Sequence, residues 1–224
     1  MFDSSKCDPE LGKKVHEYLK SKGQETPTFP VDMSREEKVA KIGGLFSEIM
    51  ETLGLDLQDD SLMDTPRRVA KMYVNEIFWG MQPENFPKCT AIENKMDYDE
   101  LITVRDVKVM SNCEHHFVVI DGVANIAYIP NKKVLGLSKI NRIVEYFSRR
   151  PQVQERLTNQ IFHCLSYILE TEDVAVVIDA THYCVKSRGV QDINSHTFTS
   201  KLGGIFRKNP ATRAEFYALV KKTS

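Results

Sequence analysis

The spacing of apolar residues changes near residue 95. Up to that point, apolar residues recur every three or four positions, which predicts helices over residues 9–23, 34–55 and 65–81. Residues 25–32 contain two prolines and predict a linker. From about residue 100, apolar and polar residues alternate with period two, which is typical of strands.

Helix starts are marked by capping residues. Ser34 followed by Glu37 three residues later predicts a capping box. The other predicted caps are Thr65, Ser138 and Asn209, with Pro66 and Pro210 directly behind two of them.

The second half of the chain reads strand, strand, helix, helix, strand, strand, helix. The predicted ranges are 100–113, 116–130, 138–150, 153–172, 173–189, 195–208 and 209–222. Runs of strands and of helices, rather than strict alternation, predict an α+β fold with an antiparallel sheet. We predict an N-terminal helical region over residues 1–94 and a catalytic domain over 95–224.

Composition limits the function classes. The 224 residues are 42% hydrophobic and 27% charged with a formal net charge of −1, which argues against general nucleic-acid binding. No apolar run approaches the ~20 residues of a membrane span, and the N-terminal stretch lacks the apolar core of a secretion signal. Five scattered cysteines fit reduced thiols, so we expect a cytoplasmic protein without membrane or nucleic-acid partners.

Two stretches carry candidate metal ligands: "SNCEHHFVVIDG" at 111–122 and "DATHYCVKSRG" at 179–189. On a strand, His182 and Cys184 would point to the same face. Cys113 and His116 are three apart, so they converge only if the chain bends at Glu114–His115.

The metal hypothesis has alternatives. Cys113-x-x-His116 alone is equally compatible with a buried thiol and a surface imidazole. Adding Cys184 gives three protein ligands, the number found in catalytic zinc sites with an open position for water. A closed site that also uses a further histidine as its fourth ligand is the main alternative.

The chain resembles GTP cyclohydrolase I of the bacterial type. Two long segments carry the resemblance, "ELITVRDVKVMSNCEHH" and "SRRPQVQERLT", and shorter ones support it: "TPRRVAKMY", "GLSKINRIV" and "HYCVKSRG". The resemblance covers about residues 35–224. Departures are confined to details such as Ser187 and the segment "QDINSHTF".

The resemblance implies the tunnelling fold, a β-β-α-α-β-β sheet with helices on one face. It also implies a cooperative or allosteric homodecamer of two pentamers. The implied reaction opens the guanine ring of GTP and yields formate and 7,8-dihydroneopterin triphosphate, the first step of folate or pterin biosynthesis. Zinc would be held by Cys113, His116 and Cys184, and would lower the pKa of a bound water to about 7.

The resemblance also assigns roles in proton transfer and substrate binding. His115 and His182 are the expected proton-transfer groups, because imidazole titrates close to neutral pH. Glu155, with Gln154 beside it, is the expected guanine anchor. The expected contacts to the triphosphate or ribose are Arg68, Lys71, Ser138, Lys139, Arg142 and Arg188.

Other functions were weighed against this one. Pyruvoyl-tetrahydropterin synthases bind zinc with three histidines, and nitrile reductases use a lone cysteine without zinc. A zinc-stabilised tunnelling-fold binding protein without catalysis is the alternative from another class. A formate assay after incubation with GTP separates these hypotheses.

Overall fold

The computed structural model describes residues 3–221. Residues 1–2 and 222–224, which include the predicted last residue of the C-terminal helix, Lys222, lie outside the described residues. The chain forms two compact units, Pro27–Trp79 and Asp3–Thr26 with Gly80 onwards. We call them the helical unit and the sheet unit. The predicted domain division after residue 94 stays a prediction.

Eight α-helices lie in the described part of the chain. They are α1 (Pro9–Ser21), α2 (Arg35–Thr52), α3 (Thr65–Lys71), α4 (Leu137–Ser148), α5 (Gln154–Leu169), α6 (Tyr183–Lys186), α7 (Gly204–Lys208) and α8 (Pro210–Val220). None of the helices within residues 3–221 is long and apolar enough to cross a membrane.

Two of the predicted caps are confirmed. The Ser34 hydroxyl accepts a hydrogen bond from the Glu37 N–H at 3.1 Å, and the Glu37 carboxylate accepts one from the Ser34 N–H at 2.7 Å. Asn209 accepts a hydrogen bond from the Ala211 N–H at 2.8 Å. Both pairs satisfy N–H groups that a helix start leaves without partners.

The other two predicted caps are wrong, Thr65 by one residue and Ser138 by two. Asp64 precedes α3 and already has nearly helical angles (φ −90°, ψ −8°), so Thr65 is the first helical residue. Gly136 precedes α4, and its carbonyl accepts from the Lys139 N–H at 2.8 Å, which places Ser138 inside the first turn. The predicted helix 65–81 also changes after Lys71 into a π-helical segment, Met72–Ile77.

Seven strands belong to the sheet unit. They are β1 (Ala91–Glu93), β2 (Ile102–Cys113), β3 (Val119–Tyr128), β4 (Lys133–Leu135), β5 (Pro151–Gln152), β6 (Val174–His182) and β7 (Thr197–Leu202). The main sheet has the order β5-β2-β3-β6-β7, and β2, β3, β6 and β7 are antiparallel neighbours. Strand β5 pairs parallel to the end of β2, and β1 and β4 form a small second sheet.

Two predicted strands are too long. Strand β6 ends at His182, because its last partner is Ile120 and β3 begins one residue earlier, at Val119. Strand β7 ends at Leu202, and Gly204 then adopts a positive φ of 44° as α7 begins. Each strand is therefore followed by a helical turn.

Strand β6 lies in the core of the sheet unit and is buried on both faces, since residues Val174–Ile178 are all buried. Ala175 and Val177 pack with Phe206 of α7 and Phe216 of α8 in one apolar cluster. Helix α4 buries apolar residues at helical spacing, including Ile140, Ile143, Val144 and Phe147. This core holds the ends of β2 and β6, where the candidate metal ligands lie.

Candidate active site and metal centre

The metal loop, residues 113–118, begins at the last residue of β2. Residues 114–116 form a turn, which confirms the predicted bend. The Phe117 N–H donates to the Cys113 carbonyl and the Cys113 N–H to the Val118 carbonyl, both at 2.8 Å. The Glu114 N–H donates to the carbonyl of Gln152 in β5 at 3.0 Å. The loop is thus closed by its own backbone and fastened to β5.

The possible ligand atoms of Cys113, His116 and Cys184 lie within 4.8 Å of one another. We call these three residues the metal group. Cys113 Sγ lies 3.9 Å from His116 Nδ1. Zinc bond lengths of about 2.3 Å to sulfur and 2.0–2.1 Å to nitrogen require ligand atoms roughly 3.5–3.8 Å apart in a tetrahedron. The donor types and spacing therefore fit a metal ion after small side-chain adjustments.

Cys184 reaches this group by a route that differs from the prediction. It lies in the helical turn α6 behind β6, so the prediction of a same-face strand pair with His182 is wrong. The turn redirects the chain, and the Cys184 side chain meets Cys113 while His182 keeps its place on the strand. Burial raises the pKa of the Cys184 thiol, and its contact with Cys113 raises it further.

His182 is held by a buried glutamine. Its Nε2 lies 2.7 Å from Gln154 Oε1. The Gln154 Nε2 faces three acceptors, the carbonyls of Ile178 and Thr197 and the Thr199 hydroxyl, at 2.8–3.1 Å. Because the Gln154 amide nitrogen is engaged as a donor, its oxygen accepts from His182, and the neutral imidazole carries its proton on Nε2.

His115 lies beside the metal group on the exposed side of the loop. Its Nδ1 is 3.8 Å from Cys113 Sγ, and its Nε2 is 3.7 Å from a Glu114 carboxylate oxygen. Arg156 forms a two-pronged ion pair with that carboxylate. The Arg156 hydrogen bond lowers the pKa of Glu114, so Glu114 is a fixed anion next to His115.

Arg188 contacts the metal group directly, since its guanidinium nitrogen lies 2.9 Å from His116 Nε2. Lys139 and Arg142 lie beside a different residue, Cys89. Burial raises the pKa of the Cys89 thiol to about 12, although both cations oppose the shift.

The remaining predicted residues are exposed or belong to the other unit. Glu155, the expected guanine anchor at the start of α5, is exposed. Ser138 is exposed in the first turn of α4. Arg68 and Lys71 are exposed residues of the helical unit.

Sequence reasoning missed Glu114 and Arg156 as partners of His115. Glu114 stands inside the metal motif and Arg156 directly follows Glu155, yet a charge on a polar helix start usually faces solvent. Only the ion pair between Arg156 and Glu114 beside His115 identifies them. Gln154 was predicted to bind substrate, but it is 1% exposed and its polar atoms contact protein groups.

Comparisons with known proteins agree with the motifs. The sequence model of the family described as GTP cyclohydrolase I matches residues 42–221. A GTP cyclohydrolase 1 of Shewanella amazonensis is 59% identical over 207 residues, which cover 92% of this chain and 96% of the relative. Proteins of the same name from Shewanella sp. strain ANA-3 and Vibrio campbellii are each 60% identical over 92% of this chain and cover 96% and 95% of the relative. The chain therefore belongs to the GTP cyclohydrolase I family.

Proposed function

We propose that a zinc ion held by Cys113, His116 and Cys184 is the centre at which this GTP cyclohydrolase I converts GTP into 7,8-dihydroneopterin triphosphate and formate. The observation that carries the proposal is the convergence of two thiols and one imidazole, with His115 beside them and His182 two residues before Cys184 in the chain. Thiolate and imidazole are ligands that suit zinc. When bound, zinc acts as a Lewis acid and lowers the pKa of a coordinated water.

His182 is the proposed proton acceptor on the buried side. Burial lowers its pKa despite the nearby negative charge of Glu155, so the imidazole is neutral at pH 7. Its Nε2 proton is directed to Gln154, which leaves Nδ1 to take up a proton during hydrolysis of the guanine ring. Gln154 thereby orients the ring, and we assign it this role in place of a direct substrate contact.

His115 is the proposed second proton-transfer group. A positive charge on its ring is stabilised by the Glu114 carboxylate at 3.7 Å, and Arg156 keeps that carboxylate ionised. The exposed position of His115 gives it access to substrate nitrogens from the solvent side. The two histidines therefore lie in different environments, His182 half-buried and His115 exposed.

Arg188 would change partner on metal binding. An arginine only donates hydrogen bonds, so its contact uses His116 Nε2 as an acceptor. If His116 held a metal through Nδ1, its ring proton would sit on Nε2 and the contact with Arg188 would be lost. We infer that the released guanidinium binds the triphosphate of GTP, where a bidentate cation suits phosphate oxygens.

The other proposed substrate contacts are Glu155 for the guanine edge and a set of polar and cationic residues for the triphosphate and ribose. Helix α4 begins at Leu137 without a side-chain cap, so the N–H groups of Leu137 and Ser138 are available to an anion. Lys139 and Arg142 lie on this part of α4. The full set is Arg68, Lys71, Ser138, Lys139, Arg142 and Arg188.

We further propose that the enzyme is a homodecamer of two pentamers in the cytoplasm. Strand β7 is an edge of the main sheet, and Phe198 on it is 56% exposed. An edge strand of this kind favours pairing with a neighbouring copy. All five cysteines are free thiols, as expected in a reducing compartment.

Metal analysis of single variants tests the proposal. Cys113→Ser, His116→Ala and Cys184→Ser should each lose bound zinc and formate release from GTP. His115→Ala should keep zinc and lose formate release, because it moves protons without ligating the metal. Zinc-free His115→Ala protein would make His115 a ligand, and full turnover without any bound metal would reject the zinc centre.

A further inference from the structure

The arm, residues Gln24–Thr26 behind α1, places a buried anion in the sheet unit. The Glu25 side chain is 8% exposed, and its carboxylate accepts hydrogen bonds from Arg150 at 2.6 Å and from the Thr26 N–H at 2.9 Å. His16 Nδ1 lies 2.9 Å from the other oxygen. Burial raises the pKa of Glu25, but the close His16 imidazole and the Arg150 charge outweigh burial and lower it overall.

Arg150 is fixed by this anion and by aromatic neighbours. It is 2% exposed, and its Nε donates to the Gly80 carbonyl at 2.7 Å. Its guanidinium lies over the rings of Tyr146 and Phe147, at 4.7 and 4.8 Å from their centroids. Because β5 begins at the next residue, the position of Arg150 sets where β5 starts.

A second path of hydrogen bonds joins the arm to β5. Gln160 is fully buried, and its Nε2 donates to the Gln24 carbonyl at 2.8 Å. Its Oε1 accepts from Gln152 Nε2 at 2.8 Å. Gln152, also fully buried, is the second residue of β5. The contacts through Arg150 and the contacts through Gln160 therefore both connect the arm to β5.

Strand β5 in turn holds the metal loop. Gln152 pairs with Cys113, and its carbonyl accepts from the Glu114 N–H at 3.0 Å. We propose that Glu25 is a positioning residue for the metal centre, acting through Arg150 and β5 on the metal loop. This inference rests on the proposed function only in taking Cys113 as a metal ligand.

Hydrogen exchange on metal-free protein tests the connection without relying on any metal. Glu25→Gln keeps the side-chain shape and removes the charge that holds Arg150. We expect exchange of the peptide carrying the Cys113 and Glu114 amides to accelerate at least about tenfold, because these bonds open locally more often. Phe216→Leu, in the apolar cluster with Phe206, is the control, compared at equal distance below each variant's melting temperature.

The metal-loaded protein supplies a second measurement. We expect Glu25→Gln to bind zinc about tenfold more weakly in competition with a chelator, the size typical of residues that support metal ligands indirectly. Saturating zinc should restore most of the turnover. The control, Phe216→Leu, should keep wild-type zinc affinity, because the packing that it loses lies in the apolar cluster with Phe206 and not at β5 or the metal loop.

Thr26→Val provides a variant that is expected to fold, since it only removes the hydroxyl 3.2 Å from Gln160 Nε2. It should accelerate the same exchange by a smaller factor. Metal-loop exchange in Glu25→Gln and Thr26→Val equal to that of the control would overturn the positioning role. Faster exchange in a protein that binds no zinc would instead reject the zinc centre while leaving the link between arm and loop.

Discussion

Helices α2 and α5 have similar lengths, 18 and 16 residues, and very different surroundings. Helix α5 buries eleven residues within the chain, whereas α2 buries only Gly43 and Met50. Leu45 and Ile49 of α2, and Leu53 directly behind it, are 50–73% exposed and recur every four residues. Such a stripe normally faces a core, so we expect further protein to cover α2, whereas α5 is already covered within the chain.

The predicted site residues of the two units also differ in burial. Cys113 and Gln154 of the sheet unit are buried and contact groups of their own chain. Arg68 and Lys71 of the helical unit are exposed. The sheet unit thus brings the candidate metal ligands together within one chain, and we expect the helical unit to gain its function in an assembly.

The largest effect should follow from placing a charge on the exposed stripe. Ile49→Asp should split the assembly and abolish nearly all turnover, because burying an unpaired carboxylate at a contact between chains is strongly unfavourable. Zinc content should stay at the wild-type level. Analytical ultracentrifugation and metal analysis measure both outcomes.

Lys41→Glu, which changes an exposed charge on the same helix, is the control for this variant. It should leave the assembly intact. An Ile49→Asp protein that stays fully assembled and active would show that the stripe faces solvent in the working enzyme. The conclusion that further protein covers α2 would then be wrong.

Glu155 is an exposed residue of the otherwise buried helix α5, so it tests whether the sheet unit alone completes the site. Glu155→Gln presents a donor to the donor edge of guanine, which costs about 1–3 kcal/mol, or roughly 5- to 150-fold in kcat/KM. Selectivity for GTP over ITP, which lacks the exocyclic amine, should shrink. Steady-state kinetics with both nucleotides measures it, and unchanged GTP kinetics would remove Glu155 from the site.

Mixed oligomers test whether Arg68 serves a metal centre of another chain. Arg68→Ala and Cys113→Ala should each be nearly inactive alone. Co-expressed with two affinity tags and purified through both, about a quarter of the sites should receive both intact residues by random mixing. Mixed oligomers that release no more formate than the single variants would place both residues in one chain's site.

The smallest effect concerns His163, a half-buried residue of α5. Burial, with Lys201 and Lys22 adding to it, lowers its pKa from 6.5 to about 4. The unfolded chain therefore binds this proton more readily than the folded protein, and stability falls as pH drops from 6.5 towards 4. His163→Phe should flatten this part of the stability curve, by a few degrees at most in melting temperature (about 1 kcal/mol or less).

Thermal unfolding between pH 4 and 7 measures that difference. Equal slopes for His163→Phe and the wild type would show that the ring is protonated in the folded protein as easily as in water.

Local patterns predicted the elements and the ligand types but not the contacts that join them. The Ser34–Glu37 capping box and the bend after Cys113 depend on neighbouring residues, so the sequence was sufficient for both. The end of β6 at His182 depends on where β3 begins, which is far away along the chain. Strand β5 has two residues and forms only because β2 lies beside it, so periodicity could not reveal it.

The residues of the candidate site were also only partly predictable from the sequence. Cysteine and histidine spacing identified Cys113, His116 and Cys184 as ligand candidates, and these side chains meet. The partners of the two free histidines, Gln154 and Glu114, could not be found that way, because an amide or a carboxylate has no distinctive spacing. Their roles follow from hydrogen-bond directions, which appear only after folding.

The pairing of β5 with Cys113 also sets an order of events for a newly made chain. The hairpin β2–β3, with Cys113 and His116, can form early, because its residues are close along the chain. Its support from β5 and its third ligand, Cys184, are synthesised later. A ribosome-bound chain that ends before Cys184 therefore lacks a complete ligand set, so if the proposed metal centre forms we expect metal capture to be a late step.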